Sequence, residues 1–142
     1  MQSESNIKKL SSQDVMIGDW VLVDKNAWIE DEYDPRCGVP DYQPFQIKTG
    51  EDIDEVDSSD SPTYGVPLTE EILKNNFEVN YGCCYIYKNE EIGESLYYHF
   101  ETRSIVYKPD NHSWSCNGPK IEYVHELQHF LRGIKNNKEI TV

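Results

Sequence analysis

The strongest constraint on the fold is a pair of alternating runs that face each other across a turn. Residues 81–88 place Tyr81, Cys83, Tyr85 and Tyr87 at every second position. Residues 94–100 return as Glu-Ser-Leu-Tyr-Tyr-His-Phe after a stretch holding Asn89 and Gly93. Period-two alternation puts one set of side chains on one sheet face. A short connection containing glycine then closes the two runs into a β-hairpin. Ser104-Ile105-Val106-Tyr107 predicts a third strand before the turn residues Pro109-Asp110-Asn111. The tyrosine face is expected to pack across strands.

Two helices complete this half. Thr69 followed by Glu70 and Glu71 is an N-cap with acids at the positive end of the helix dipole, which predicts a helix over 68–75. Leu68 and Leu73 stand at hydrophobic-staple spacing. Asn75-Asn76 is expected to end the helix through a left-handed residue. Residues 119–132 predict the longer helix, with Pro119 in its first turn and Gly133 as its C-terminal cap. Ile121, Tyr123, Val124, Leu127, Phe130 and Leu131 fall on one arc of it. Residues 138–142 predict a last strand with Ile140 and Val142 on one side.

Nearer the N-terminus, Gly18-Asp19 opens the β-rich run Trp20-Val21-Leu22-Val23, and Asp24-Lys25-Asn26 closes it. Phe45-Gln46-Ile47-Lys48 alternates as a half-buried strand, and residues 53–56 are expected to add a short third one. A glycine-led strand followed by short strands predicts an SH3-like small barrel. The fold class is therefore α+β, mostly antiparallel, with two short helices, the longer one near the C-terminus. A chain of 142 residues predicts one domain over 1–142.

Charge divides the chain unevenly. Residues 1–80 carry 18 acids against 6 bases, and residues 81–142 carry 8 against 7, so −12 and −1 make up the total of −13. Eleven acids lie between Glu30 and Asp60, against Arg36 and Lys48. This window is expected to be a flexible, solvated acidic loop region. The run from Asp52 has the wrong residues for a calcium loop, with Val56, Asp57 and Thr63 where a ligand, a glycine and a closing Glu are needed. The net charge opposes direct phosphate binding to nucleic acid and binding to anionic membranes. No apolar run is long enough to span a bilayer. The polar first twelve residues lack a signal-peptide core, so a cytoplasmic location is expected. Cys37, Cys83, Cys84 and Cys116 form no Cys-x-x-Cys and are expected to be reduced thiols acting as small hydrophobes; a metal site drawing on Cys37 and Cys116 is the alternative.

One motif carries chemistry. His125-Glu126-Leu127-Gln128-His129 fits H-E-x-x-H, in which two histidines one turn apart ligate zinc and the Glu activates a bound water. Both histidines are expected on the polar side of the helix, at about 100° and 140° from Val124. Catalytic zinc needs a third protein ligand. Arg132 and Lys135 stand where the extended motif requires Gly and His, Glu139 is the sole acid downstream, and His99 and His112 lie upstream. The expectation is therefore no catalytic, cofactor or metal residue, with two solvated histidines on a helix.

Three segments carry a resemblance. Ile17-Gly18-Asp19-Trp20-Val21 is similar to an I-G-[DN]-[WY]-V opening. Residues 66–77, Val-Pro-Leu-Thr-Glu-Glu-Ile-Leu-Lys-Asn-Asn-Phe, resemble P-L-T-E-E-I-L-x-x-N-G-F, with Asn76 for Gly. Tyr123-Val124-His125-Glu126-Leu127-Gln128 is similar to Y-[VL]-H-[EQ]-L-Q-N. They resemble an uncharacterised family of short proteins from gut Bacteroidetes and their prophages. That family implies no activity and no catalytic residue. Its pattern places Asn at the position of His129 and admits Gln at that of Glu126, which implies that H-E-x-x-H is local to this chain.

The functional expectation is a non-enzymatic accessory or interaction protein, of mobile-element origin, docking a protein partner through the acidic region or the Tyr-rich hairpin. The alternatives are a small zinc-dependent hydrolase using His125, Glu126 and His129, and an acidic nucleic-acid mimic.

Overall fold

The first strand forms where the sequence places a turn before a β-branched run. In the computed structural model, which describes residues 8–58, 62–80, 84–89, 94–108, 116–134 and 138–142, β1 runs over Trp20–Asp24. Gly18 takes a φ of 97° in the turn before it. Gly18 N–H donates to Ile47 O at 2.7 Å and Ile47 N–H donates to Asp19 O at 2.9 Å. β1 pairs antiparallel with β2, Tyr42–Gln46, and with β3, Thr63–Gly65, in the order β2-β1-β3. Residues 47 and 48, expected in the second strand, lie beyond its end.

Residues 53–56 are not a strand. They fall in and just after α1, Gly50–Glu55. The reason is a capping box: Thr49 Oγ1 accepts from Asp52 N–H at 3.2 Å, and Asp52 Oδ2 accepts from Thr49 N–H at 3.1 Å. With Glu51 and Asp52 in its first turn, this short segment gains more as a helix than as a strand. The window 30–60 therefore contains β2 and α1 as well as turns.

The chain divides into two compact units. The first takes Met1–Pro67, Tyr123–His125 and Val142, and the second Leu68–Glu122 and Glu126–Thr141. The core of the first unit is Leu10, Val15, Val21, Ile47 and Val56, with Phe45 and Ile53 packed against it.

The second unit holds a five-stranded antiparallel sheet in sequential order: β4 Glu78–Asn80, β5 Cys84–Asn89, β6 Glu94–His99, β7 Ser104–Lys108 and β8 Cys116–Lys120. The expected hairpin is β5–β6, and the expected third strand is β7. Tyr85 stands opposite Tyr98, and both rings are buried. Tyr81 and Cys83, expected on the same face, lie outside the described residues. α2, Glu70–Asn76, starts at the expected cap, with Thr69 Oγ1 accepting from Ile72 N–H at 3.3 Å. It ends without a left-handed residue, because Phe77 is extended at φ −133°. Asn76 instead bonds to the far end of the chain. Its Oδ1 accepts from Thr141 N–H and its Nδ2 donates to Thr141 O, both at 2.9 Å. That double bond imitates strand pairing, so residues 138–142 are held without forming the expected strand. Ile140 is buried there, and Val142 is exposed.

The longer helix, α3, covers Val124–Gly133. Pro119 lies in β8 rather than in a first helical turn. β8 is an edge strand, and its register with β7 shifts between Ser104 and Val106. A bulge on an edge strand is where proline's missing N–H costs nothing. Gly118 at this bulge lets Phe130 approach: a Cβ there would lie 2.5 Å from Ile105 Cγ2 and 2.7 Å from Phe130 Cε2. Gly133 is the last helical residue rather than a left-handed cap.

Candidate functional site

The H-E-x-x-H residues sit at the start of α3, where the chain is held by backbone bonds. Val124 N–H donates to Val66 O at 2.8 Å, and Tyr123 bridges to Pro67. Two of the three segments that carry the resemblance thus meet at these residues. The docking turns His125 inward, against expectation: it is only 3% exposed. Its ring stacks on Tyr123 with centroids 5.9 Å apart. Gly65 makes the room, since a Cβ there would lie 2.8 Å from Tyr123 Cδ1 and 3.3 Å from His125 Cε1. Helical periodicity placed His125 off the apolar arc; the tertiary contact with the end of β3 buried it.

Glu126 has a structural task. Its Oε1 accepts from Glu122 N–H at 3.1 Å, which satisfies a backbone donor just ahead of the helix. His129 is half-buried. Among the described residues, no three His, Cys, Asp or Glu side chains converge as a metal-binding group. Cys84 is buried, and Cys37 is half-buried with its Sγ 3.6 Å from Ile29 O. Cys116 is a residue of β8, and Cys83 lies outside the described residues.

The acids of the first unit are directed mostly at its own turns. Ser12 donates to Asp57 from its N–H at 2.8 Å and from its hydroxyl at 2.6 Å. That hydroxyl, with the N–H beside it, holds the Asp57 carboxyl below the ordinary value of 3.8. Asp14 is lowered chiefly by Ser11 N–H, and Asp52 chiefly by Lys48 N–H. Asp34 is lowered to about 2 by its hydrogen bond with Arg36, which is also an ion pair at 2.9 Å. Asp24 Oδ1 accepts from both Asn26 N–H and Asp41 N–H. The bonds of Asp14, Asp34 and Asp52, and that of Asp24 to Asn26, are Asx-type turns and caps, the local bonding that aspartate makes best, whereas Asp57 to Ser12 and Asp24 to Asp41 tie together segments distant in the chain. The expectation of a merely solvated acidic stretch missed them, although the capping-box spacing of Thr49 and Asp52 was visible.

Two features of this unit face outward. Trp28 is 64% exposed and Tyr33 is 93% exposed, on the turns that follow β1 and among Glu30, Asp31, Glu32 and Asp34. Beside Trp28 lies a cleft of about 240 Å³, which sequence reasoning did not foresee. Its buried lining includes Val21, Ile47 and Val56, joined by Phe45. Asp24, Lys25, Trp28 and Glu55 line it toward solvent. The Tyr-rich hairpin offers less surface, because Tyr85 and Tyr98 are interior.

Fold and site together define a small α+β protein whose distinguishing surface is an acidic one with exposed aromatic rings. Comparison of the chain with protein-family models, with curated proteins and with solved structures finds no match. Among the described residues, no helix is long and apolar enough to cross a membrane.

Proposed function

We propose that this chain is a non-enzymatic interaction protein that docks a protein partner through the acidic stretch of its first unit. The observation that carries the reading is the pair Trp28 and Tyr33, left in water amid Glu30, Asp31, Glu32 and Asp34. Large aromatic side chains are strong interface anchors, and a surrounding field of one sign steers and selects an oppositely charged partner. Of the two surfaces the sequence suggested, the acidic stretch is favoured over the Tyr-rich hairpin by the burial of Tyr85 and Tyr98. An SH3-like character for the first unit rests on the Gly18-Asp19 opening and its short strands. A mobile-element origin rests on the three resembling segments.

The test is differential capture from cells that express the chain. One bait is the native protein; the other carries Trp28→Ser and Tyr33→Ser together with Glu30→Gln, Asp31→Asn and Glu32→Gln. A partner held by the first and lost by the second supports the proposal. Equal capture by both overturns it. So does a zinc-dependent hydrolytic activity of the native protein that disappears in His129→Asn.

A further inference from the structure

The cleft beside Trp28 has the size and lining of a receptor for one long side chain. Pockets for drug-sized ligands run to about 300–1,000 Å³, and this one is about 240 Å³. Its interior is mostly apolar, with Val21, Val23, Phe45, Ile47 and Val56 beside the hydroxyl-bearing Thr63. Its solvent side holds the carboxylates Asp24, Asp52 and Glu55 against one lining cation, Lys25. Asp24 and Asp52 also accept backbone N–H bonds. Glu55 is exposed, and its carboxylate has no hydrogen bond or ion pair among the described residues. The indole of Trp28 flanks the same opening. It already has a cation nearby, the guanidinium of Arg36, 5.8 Å from its ring centroid.

We infer that this cleft binds a lysine side chain presented by a peptide segment of the partner. The inference rests on the proposed docking function and deepens it. An apolar floor with acids at the mouth matches a methylene stem that ends in a compact ammonium. The stem is desolvated against the half-buried Val23 and Phe45, with the core residues Val21, Ile47 and Val56 beneath them. The ammonium meets Glu55 and the outward carboxylate oxygens, with the indole of Trp28 adding cation–π attraction. The window 30–60, at 11 acids against 2 bases, supplies the long-range field that draws a basic segment in. Lys25 opposes the incoming ammonium and tunes the site.

The experiment is calorimetric titration of the full chain with the acetylated, amidated peptide Gly-Ser-Leu-Lys-Leu-Ser-Gly at low ionic strength. Expected is saturable one-to-one binding that weakens about tenfold when norleucine replaces the lysine, since the stem stays and the charge goes. Glu55→Gln weakens it about threefold, Trp28→Ala weakens it further, and Lys25→Ala strengthens it. All three residues are exposed, so circular dichroism of each variant matches the native protein. Absence of saturable binding overturns the inference. So does binding that ignores the lysine, or that is unchanged by both Glu55→Gln and Trp28→Ala. None of those results touches the docking proposal, which stands or falls on capture through Trp28, Tyr33 and residues 30–32.

Discussion

The two units are built by different means. The second is held by a continuous antiparallel ladder, β4 to β8, with Leu96, Tyr98 and Ile105 fully buried along its strands. Its polar side chains finish the job at a few points: Tyr98 donates to Ile121 O at 2.5 Å, and Arg103 donates to Leu68 O at 2.7 Å. The first unit has three short strands and many turns, and carboxylates bind those turns together. Asp14, Asp24, Asp52 and Asp57 each accept at least one backbone N–H. Part of the uneven charge serves this bonding. Acids concentrate where regular pairing is scarce, because a short carboxylate can satisfy backbone donors that no strand partner reaches.

The largest expected effect probes the side built by apolar packing. Leu127 is completely buried in α3, so Leu127→Ala leaves a cavity and costs about 2–5 kcal/mol, read as a marked fall in melting temperature. A loss within about 0.5 kcal/mol contradicts the burial of this face. A second, smaller effect separates the two histidines. His125→Ala removes a buried ring packed near Gly65 and Tyr123 and should cost about 1–3 kcal/mol, whereas the half-buried His129 should cost about 0.5 kcal/mol or less. Equal costs would mean that α3 presents both rings alike.

The caps offer a matched pair across the units. Thr49→Ala and Thr69→Ala each remove an N-cap hydroxyl, and each should cost about 1 kcal/mol in denaturant unfolding. If Thr49→Ala alone is silent, α1 is not held by its cap. The subtlest effect is acid-dependent. Among the described residues, every carboxyl held below its ordinary value belongs to the first unit: Asp14, Asp34, Asp52 and Asp57. A group whose folded value is depressed contributes its stability above the unfolded value, here 3.8, and loses it as pH falls through the folded value. Below about pH 3.8, then, amides such as Ser12, Lys48 and Thr49 should lose hydrogen-exchange protection before those of β5 and β6. Simultaneous loss in both units breaks the comparison.

Much of the α+β architecture was legible in local signals. Alternation foretold β5, β6 and β7, the Thr69 cap foretold the start of α2, and Gly18-Asp19 foretold β1. The errors share a cause. Residues 53–56 read as a strand because Ile53 and Val56 are β-branched; the capping bonds of Thr49 and Asp52 decided otherwise. Pro119 read as a helix start because proline suits that position, but it also suits a bulged edge strand, and only pairing with β7 distinguishes them.

The candidate site was less legible than the fold. The acidic window was plain, and the exposed rings of Trp28 and Tyr33 lie within or beside it. The cleft was not, since Val21 of β1 meets Phe45, Ile47, Glu55 and Val56 only through tertiary packing. Sequence by itself determined which segments could be strands or helices, where the charge lies, and that His125, Glu126 and His129 share one helix. Tertiary structure alone decided that His125 points inward and that Asn76 holds Thr141. The physical reason is range. Periodicity and capping act over a few residues along the chain, whereas burial and side-chain pairing depend on which distant backbone arrives alongside.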